Sequence, residues 1–369
     1  MPTVFIKDDL RAATEAATGG LVSVHYTSQG QPCFMRWVPR FNLEDIGADY
    51  GSGPHHAFIV DGQIKDGIWI GVYPGTVHNG ELLSLPGVAP TVSQPYTYFV
   101  NAARAAGPGF HVMTNAEWAA IALWCANNGY QPRGNTNHGR AHNATWETGT
   151  RADGGAPGYP SGTGYVYNGS GPVTWRHDGT PAGIDGLVGN VWEATPGVRL
   201  VDGEIQVLEA NNAATAALFD NSAAWQAIRL SDGALVAPGT SGTAKYDSLV
   251  AYIDDGVAND LGNFQIDDTI DFRNGPAGDN SNTYDYNRLP FTSLAPDTGI
   301  TVPAILRALC LAPGSLALNG SIYMRNHGQR YPLRGGSRVY GPQAGLGALD
   351  ISSAASSAGG NIGARIAKV

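Results

Sequence analysis

The chain has 369 residues, enough for one large domain or two, and 43% of them are hydrophobic, which supplies a packed core and excludes an intrinsically disordered chain. Only 14% are charged, the formal net charge is −9, and Lys7, Lys65, Lys245 and Lys368 are the only lysines, so recognition of nucleic acid by a basic face is excluded. With 50 Gly and 23 Pro, the fold must be rich in turns.

Residues 1–55 read as an N-terminal β-rich segment packed on the main domain, which takes up 56–369. Strand patterns at 21–26 and 33–38 flank the turn Ser28-Gln29-Gly30-Gln31-Pro32, and a hairpin is expected there. The first twenty residues contain no signal-peptide apolar run, and no later run has the length of a membrane span. The expected location is therefore the cytoplasm or a phage particle. Further strands are expected at 57–60 and 68–73, the second β-branched and aromatic.

A helix is expected at 96–106, where Phe99, Val100 and Ala103 share a face and Gly107-Pro108-Gly109 ends it. The clearest helix start is Thr114-Asn115-Ala116-Glu117, a capping box in which the Thr114 hydroxyl and Glu117 carboxylate each satisfy an orphan amide. Trp118, Ile121, Ala122 and Cys125 follow at helical spacing and predict one heavy buried face. Thr301-Val302-Pro303 opens a third helix over 304–311. Between the helices the chain is dense in Gly, Asn and Pro with short strands, which gives an α+β domain with long ordered loops and insertions.

Most chemically suggestive residues have a bland reading that fits better. Cys33, Cys125 and Cys310 are odd in number, far apart and set among apolar neighbours, as buried free thiols are. His138 and His142 stand four apart, as zinc ligands do on a helix, but the Gly and Asn around them predict a polar loop. Asp267, Asp268, Asp271 and Asp279 lack the Gly and closing Glu of a calcium loop and read as solvated acidic loops. Ser337 has no neighbouring base and no nucleophile-elbow context. No cofactor or metal is called for.

The C-terminal stretch is different. Leu346 with Ala348, Leu349 with Ile351, and Ile362 with Ala364 and Ile366 recur at the period of two of strands with a buried face. Between these anchors, 338–341 and 350–360 hold mainly Ser, Gly and Ala without a consistent period.

Arg334-Gly335-Gly336-Ser337, then the AGLxAL pattern at 344–349 and the IGxR pattern at 362–365, resemble the variable proteins of diversity-generating retroelements. Gly189-Asn190-Val191-Trp192-Glu193 and the stretch 110–118 are similar to the GNVWE and LPTxxEW signatures of the formylglycine-generating-enzyme branch of the C-type lectin fold, to which those variable proteins are related. The resemblance covers roughly residues 65–369 and departs at Ala194, where the family commonly has a second Trp. It implies a C-type lectin-like scaffold whose closing segment is rewritten from a template repeat. Mutagenesis at template adenines turns Asn codons into Ser, Gly, Asp, Ala, Val, Tyr or Arg codons, and the residues here fall within that set.

The variable ligand-binding residues so implied are Arg338, Val339, Tyr340, Gly341, Gly347, Asp350, Ser352, Ser353, Ala355, Ser357, Gly359 and Gly360. Arg338 and Tyr340, the one cation and the one large aromatic among them, are expected to dominate affinity. The partner is expected to be a macromolecule, a protein or a surface glycan. The enzymes of the same branch use a cysteine pair after RGGS; no cysteine follows Cys310, so the implied function is binding without catalysis. The alternatives are a formylglycine-generating or sulfoxide-forming enzyme and a structural phage or cell-surface protein.

Overall fold

Helix starts in this chain coincide with side chains that satisfy orphan amides. The structure is a computed structural model that describes residues 8–216 and 223–369, and its described residues contain four α-helices. α1 (Asp9–Thr18) lies in the stretch where the sequence reading placed no element; Asp8 accepts from the Arg11 amide and Gly19 closes the helix in the left-handed conformation. It has no buried residue, which is why apolar periodicity was silent there. α2 (Tyr96–Ala105) buries Tyr96, Phe99, Val100 and Ala103, as its spacing predicts.

α3 (Asn115–Asn127) carries the capping box: Thr114 Oγ1 accepts from the Glu117 amide at 3.1 Å and Glu117 Oε2 accepts from the Thr114 amide at 2.9 Å. The expectation of a single heavy face fails, because every residue from Asn115 to Leu123 is buried. A helix covered all round is the inside of a core, not its edge. α4 (Ala304–Ala308) is shorter than the expected 304–311, because Cys310 takes a positive φ of 51° and the Leu311 amide turns back to Leu306 O at 2.8 Å.

The hairpin forms from Val22–Tyr26 and Pro32–Pro39 and opens a five-stranded antiparallel sheet. Gly67–Gly71 pairs with its second strand, Ile366–Lys368 comes next, and Phe110–Val112 ends the sheet. The chain's last strand thus lies inside the sheet that the N-terminal segment begins. The stretch 57–60 is only half strand: His56–Phe58 is a 3-10 turn capped by His55, and Ile59–Val60 follows.

A larger mixed sheet runs in the order Asn287–Pro290, Ser321–Met324, Gly345–Ser353, Gln329–Gly335, Val198–Val201 and Glu204–Leu208, and continues through Lys245–Ser248 and Phe264–Asp267. Trp192–Ala194 pairs with Gln329–Gly335 on one side and, in parallel, with Ile362–Ala364 on the other. One apolar cluster joins α3 and α4 to this sheet, and a second gathers α2, Trp192, Tyr323, Leu333 and Ile362. The architecture is α+β, and no helix among the described residues is long and apolar enough to cross a membrane.

The three cysteines are free and buried, and burial pushes the Cys33 and Cys310 thiols up to about 12. The acidic loops need a correction: Asp267 is buried, and its Oδ1 accepts from the Asp268 and Thr269 amides. Its carboxylate thereby braces the turn that follows the strand.

Buried histidines make stability depend on pH. His55 Nδ1 accepts from the Ala57 amide, its Nε2 faces Ala308 O at 2.9 Å, and burial holds the ring down to about 3. Burial holds His327 down to about 4. Unfolded, both titrate near 6.5, so below that pH the unfolded chain binds protons that the folded chain refuses. Burial alone would lower His111, but Glu117 at 2.9 Å raises it, and its contribution runs the other way. The melting temperature should hold between about pH 8 and pH 6.5 and fall steadily towards about pH 4.5 in a thermal scan at constant ionic strength.

Candidate functional site

The motifs singled out in the sequence meet in space through buried arginines. Arg365 Nε and Nη2 donate to the two oxygens of Glu193 at 2.9 and 2.5 Å, Nη1 donates to Gly71 O and Val72 O, and Nη2 also reaches Asp185 O. Every donor of this guanidinium is used inside the protein, with the pair 0% and 1% exposed. Burial raises the Glu193 carboxyl and Arg365 opposes that rise. Arg334, the first residue of RGGS, donates from Nε and Nη2 to Asn115 Oδ1 at 3.0 and 2.7 Å and from Nη2 to Cys310 O. Burial lowers it to about 10, so it stays charged at neutral pH. Ala194, where the resemblance leads one to expect Trp, is fully buried between two strands.

From these anchors the closing segment leaves the core and returns to it. Arg338 N donates to Asn190 O, and Arg338 O accepts from the His138 amide at 2.8 Å. The Gly341 amide reaches Thr136 O, Ala355 O accepts from the Tyr96 amide at 3.1 Å, and Gly359 O accepts from the Ser93 amide. Arg325 and Arg330 both donate from Nη1 to Ser352 O. Each of these contacts uses a main-chain atom of the segment, so the course of its backbone depends little on which side chains it carries. Two glycines are required by geometry: at Gly189 (φ 75°) a Cβ would lie 2.1 Å from Asn135 O, and at Gly336 (φ 86°) it would lie 2.5 Å from the Ala344 Cβ.

The structure distributes the expected site residues unevenly. Val339 is 52% exposed. Gly360 is also exposed, while Arg338, Tyr340, Gly341, Asp350, Ser353, Ala355, Ser357 and Gly359 are half-buried. Gly347 and Ser352 are buried. A Cβ at Gly347 would lie 2.9 Å from Leu318 Cβ and Leu318 O, and the Ser352 hydroxyl folds back onto Asp350 Oδ1 at 2.7 Å. Residues 350–353, expected to belong to an aperiodic loop, continue the strand Gly345–Ser353. Sparse apolar residues hid that strand, which is held by neighbours on both sides.

Sequence reasoning missed the floor of this face. The Tyr340 ring meets Trp192 edge-on with centroids 5.1 Å apart and Tyr323 at 5.8 Å, and Tyr286 stacks on Tyr323 at 6.3 Å. Asp350 sits opposite Tyr323 on the neighbouring parallel strand; burial raises its carboxyl, and hydrogen bonds from Ser352 oppose the rise. Arg338 lies 4.1 Å over the Tyr165 ring and reaches Gly360 O. The Trp118 indole donates to Leu346 O at 3.1 Å. Tyr165, Tyr286 and Tyr323 lie outside the segment in sequence, and only their aromatic character marked them.

Other expected chemistry is dispersed. His138 and His142 lie in a loop, as read from their neighbours, with His142 Nδ1 2.9 Å from Thr136 Oγ1. Ser337 is fully buried. The arrangement suits recognition: a rigid aromatic floor, a rim of small side chains, and a backbone held from below. Comparison with protein-family models and with curated proteins yields no match.

Two stability measurements check this division. Val339→Asn, Ala355→Ser and Ser357→Asn should each stay within about 0.5 kcal/mol of wild type in chemical denaturation, whereas Leu349→Ala should lose about 2–5 kcal/mol. Arg365→Met should cost about 3–5 kcal/mol, because it strands the Glu193 carboxylate in the core, and adding Glu193→Leu should recover part of that loss.

Proposed function

We propose that this chain is a ligand-binding protein of the diversity-generating-retroelement kind, a C-type lectin-like scaffold of the formylglycine-generating-enzyme type that displays a hypervariable face without catalysis. The observation that carries the proposal is the suspension of 338–360 by its own main chain from fixed loops, which frees its outward side chains to change. The terminal strand seated beside Gly67–Gly71, and the Glu193–Arg365 pair that joins the GNVWE and IGxR patterns, support the scaffold reading. The ligand is a macromolecule, a protein or a surface glycan, met by a face whose large ring is Tyr340. That ring packs on Trp192 and Tyr323, so a change there reshapes the floor, whereas a change at Val339 or Ser357 alters only the rim.

Sequencing alleles from one population tests this reading. Differences should concentrate at Val339, Tyr340, Ser353, Ala355, Ser357 and Gly360, with Leu349, Ile351 and Ile362 unchanged, and a nearby reverse transcriptase should accompany a repeat that differs at adenines. Substitutions spread evenly over residues 60–369 would overturn it.

A further inference from the structure

Beside the displayed face lies a cleft of about 690 Å³, bounded by the loop 131–143, the strand Asn287–Pro290 with the turn after it, the turn 318–321 and the stretch 342–345. Its volume falls within the ~300–1,000 Å³ of small-molecule sites. Among the described residues its lining contains no carboxylate, although the chain carries 31 acidic residues against 22 basic ones. It contains no Phe, Tyr or Trp, and its one aromatic ring is the His142 imidazole, which is held at 2.9 Å from Thr136 Oγ1.

What the lining does contain is specific. Arg133 and Arg288 contribute guanidiniums, and Asn263, Asn319 and Gln343 contribute amides that pair donors with acceptors. The two arginines are oriented from outside the lining: Arg133 Nε and Nη2 donate to the two oxygens of Glu147, and Arg288 Nη2 lies 2.8 Å from Asp260. Among the described residues no carboxylate is paired with Arg133 Nη1, and the Arg288 guanidinium is shared between Asp260 and the Tyr323 hydroxyl. Pro132, Pro290 and Pro342 add apolar patches between the polar groups. Guanidinium forks match carboxylates, side-chain amides match adjacent hydroxyls, and small apolar patches match the C–H faces of a sugar ring.

We propose that this cleft is a second binding site, for a saccharide that carries a carboxylate, with Arg133 and Arg288 holding the acid and the amides holding ring hydroxyls. Arg133 and Arg288 lie outside 338–360, so the site stays in place when the displayed side chains change. The proposal does not rest on the display reading and survives its failure.

Calorimetric titration of the full chain with trigalacturonate, sialyllactose and neutral lactose tests it. Binding of trigalacturonate, of sialyllactose or of both supports the site and tells uronate from sialic acid as the source of the carboxylate; lactose should not bind. Arg288→Gln should weaken the acidic ligand about tenfold or more, as expected for loss of a charge-assisted contact. Thr292→Trp, at an exposed position on the cleft wall, should block the site in protein that melts normally, and it decides the matter if Arg288→Gln fails to fold. No binding of either acidic sugar at millimolar concentration, equal binding of lactose, or wild-type affinity in Thr292→Trp would overturn the proposal.

Discussion

The buried ion pair between Glu193 and Arg365 is the interaction on which the rest of the structure depends. The guanidinium reaches a carboxylate on one strand, two carbonyls at the end of a second and a carbonyl in the turn at Asp185, and so joins pieces from three distant parts of the chain. An ion pair out of water is stable only when its geometry is saturated, and here both Glu193 oxygens and every arginine donor have partners. That requirement selects one arrangement: the strand Ile362–Ala364 must lie beside Trp192–Ala194, and the final strand must then enter the N-terminal sheet.

Arg334 does the same work from the other end of the closing segment. It lies buried among carbonyl and amide oxygens around Asn115 and Cys310, where the start of α3 meets the end of α4. Between Arg334 and Arg365 the chain therefore has two fixed ends and, along its course, neighbours that take hold of its main chain. A surface loop of Ser, Gly and Ala would ordinarily be mobile, since it buries little apolar area. Here that loop begins as a central strand and its main chain is braced by the stretch 93–96, so it presents an ordered face despite its composition.

This construction separates what holds the segment from what it displays. Small side chains over an aromatic floor give a shallow surface with little conformational entropy to lose on binding, and Arg338 over Tyr165 is already ordered. The adjoining cleft differs in kind, being polar, concave and lined mostly by residues outside the segment. The two surfaces meet at Gln343, whose Oε1 accepts from the Tyr323 hydroxyl while its side chain borders the cleft.

By itself the sequence determined what depends on neighbours along the chain. The capping box at Thr114 and Glu117, the hairpin around Gly30, the buried thiols and the period-two anchors Leu349, Ile351 and Ile362 are all local patterns, and each is present in the structure. What only the tertiary structure decided depends on partners far apart in sequence. α3 is covered on every side because the chain returns to it from Leu309, Leu346 and Asn211. Gly347 and Ser352 are buried because the turn at Leu318 and Asp350 close over them, and no local pattern distinguishes them from the exposed Gly360. The floor of Tyr286, Tyr323 and Trp192 exists because strands that are not neighbours along the chain lie side by side, a juxtaposition set by sheet order and buried ion pairing, which periodicity along one strand does not encode.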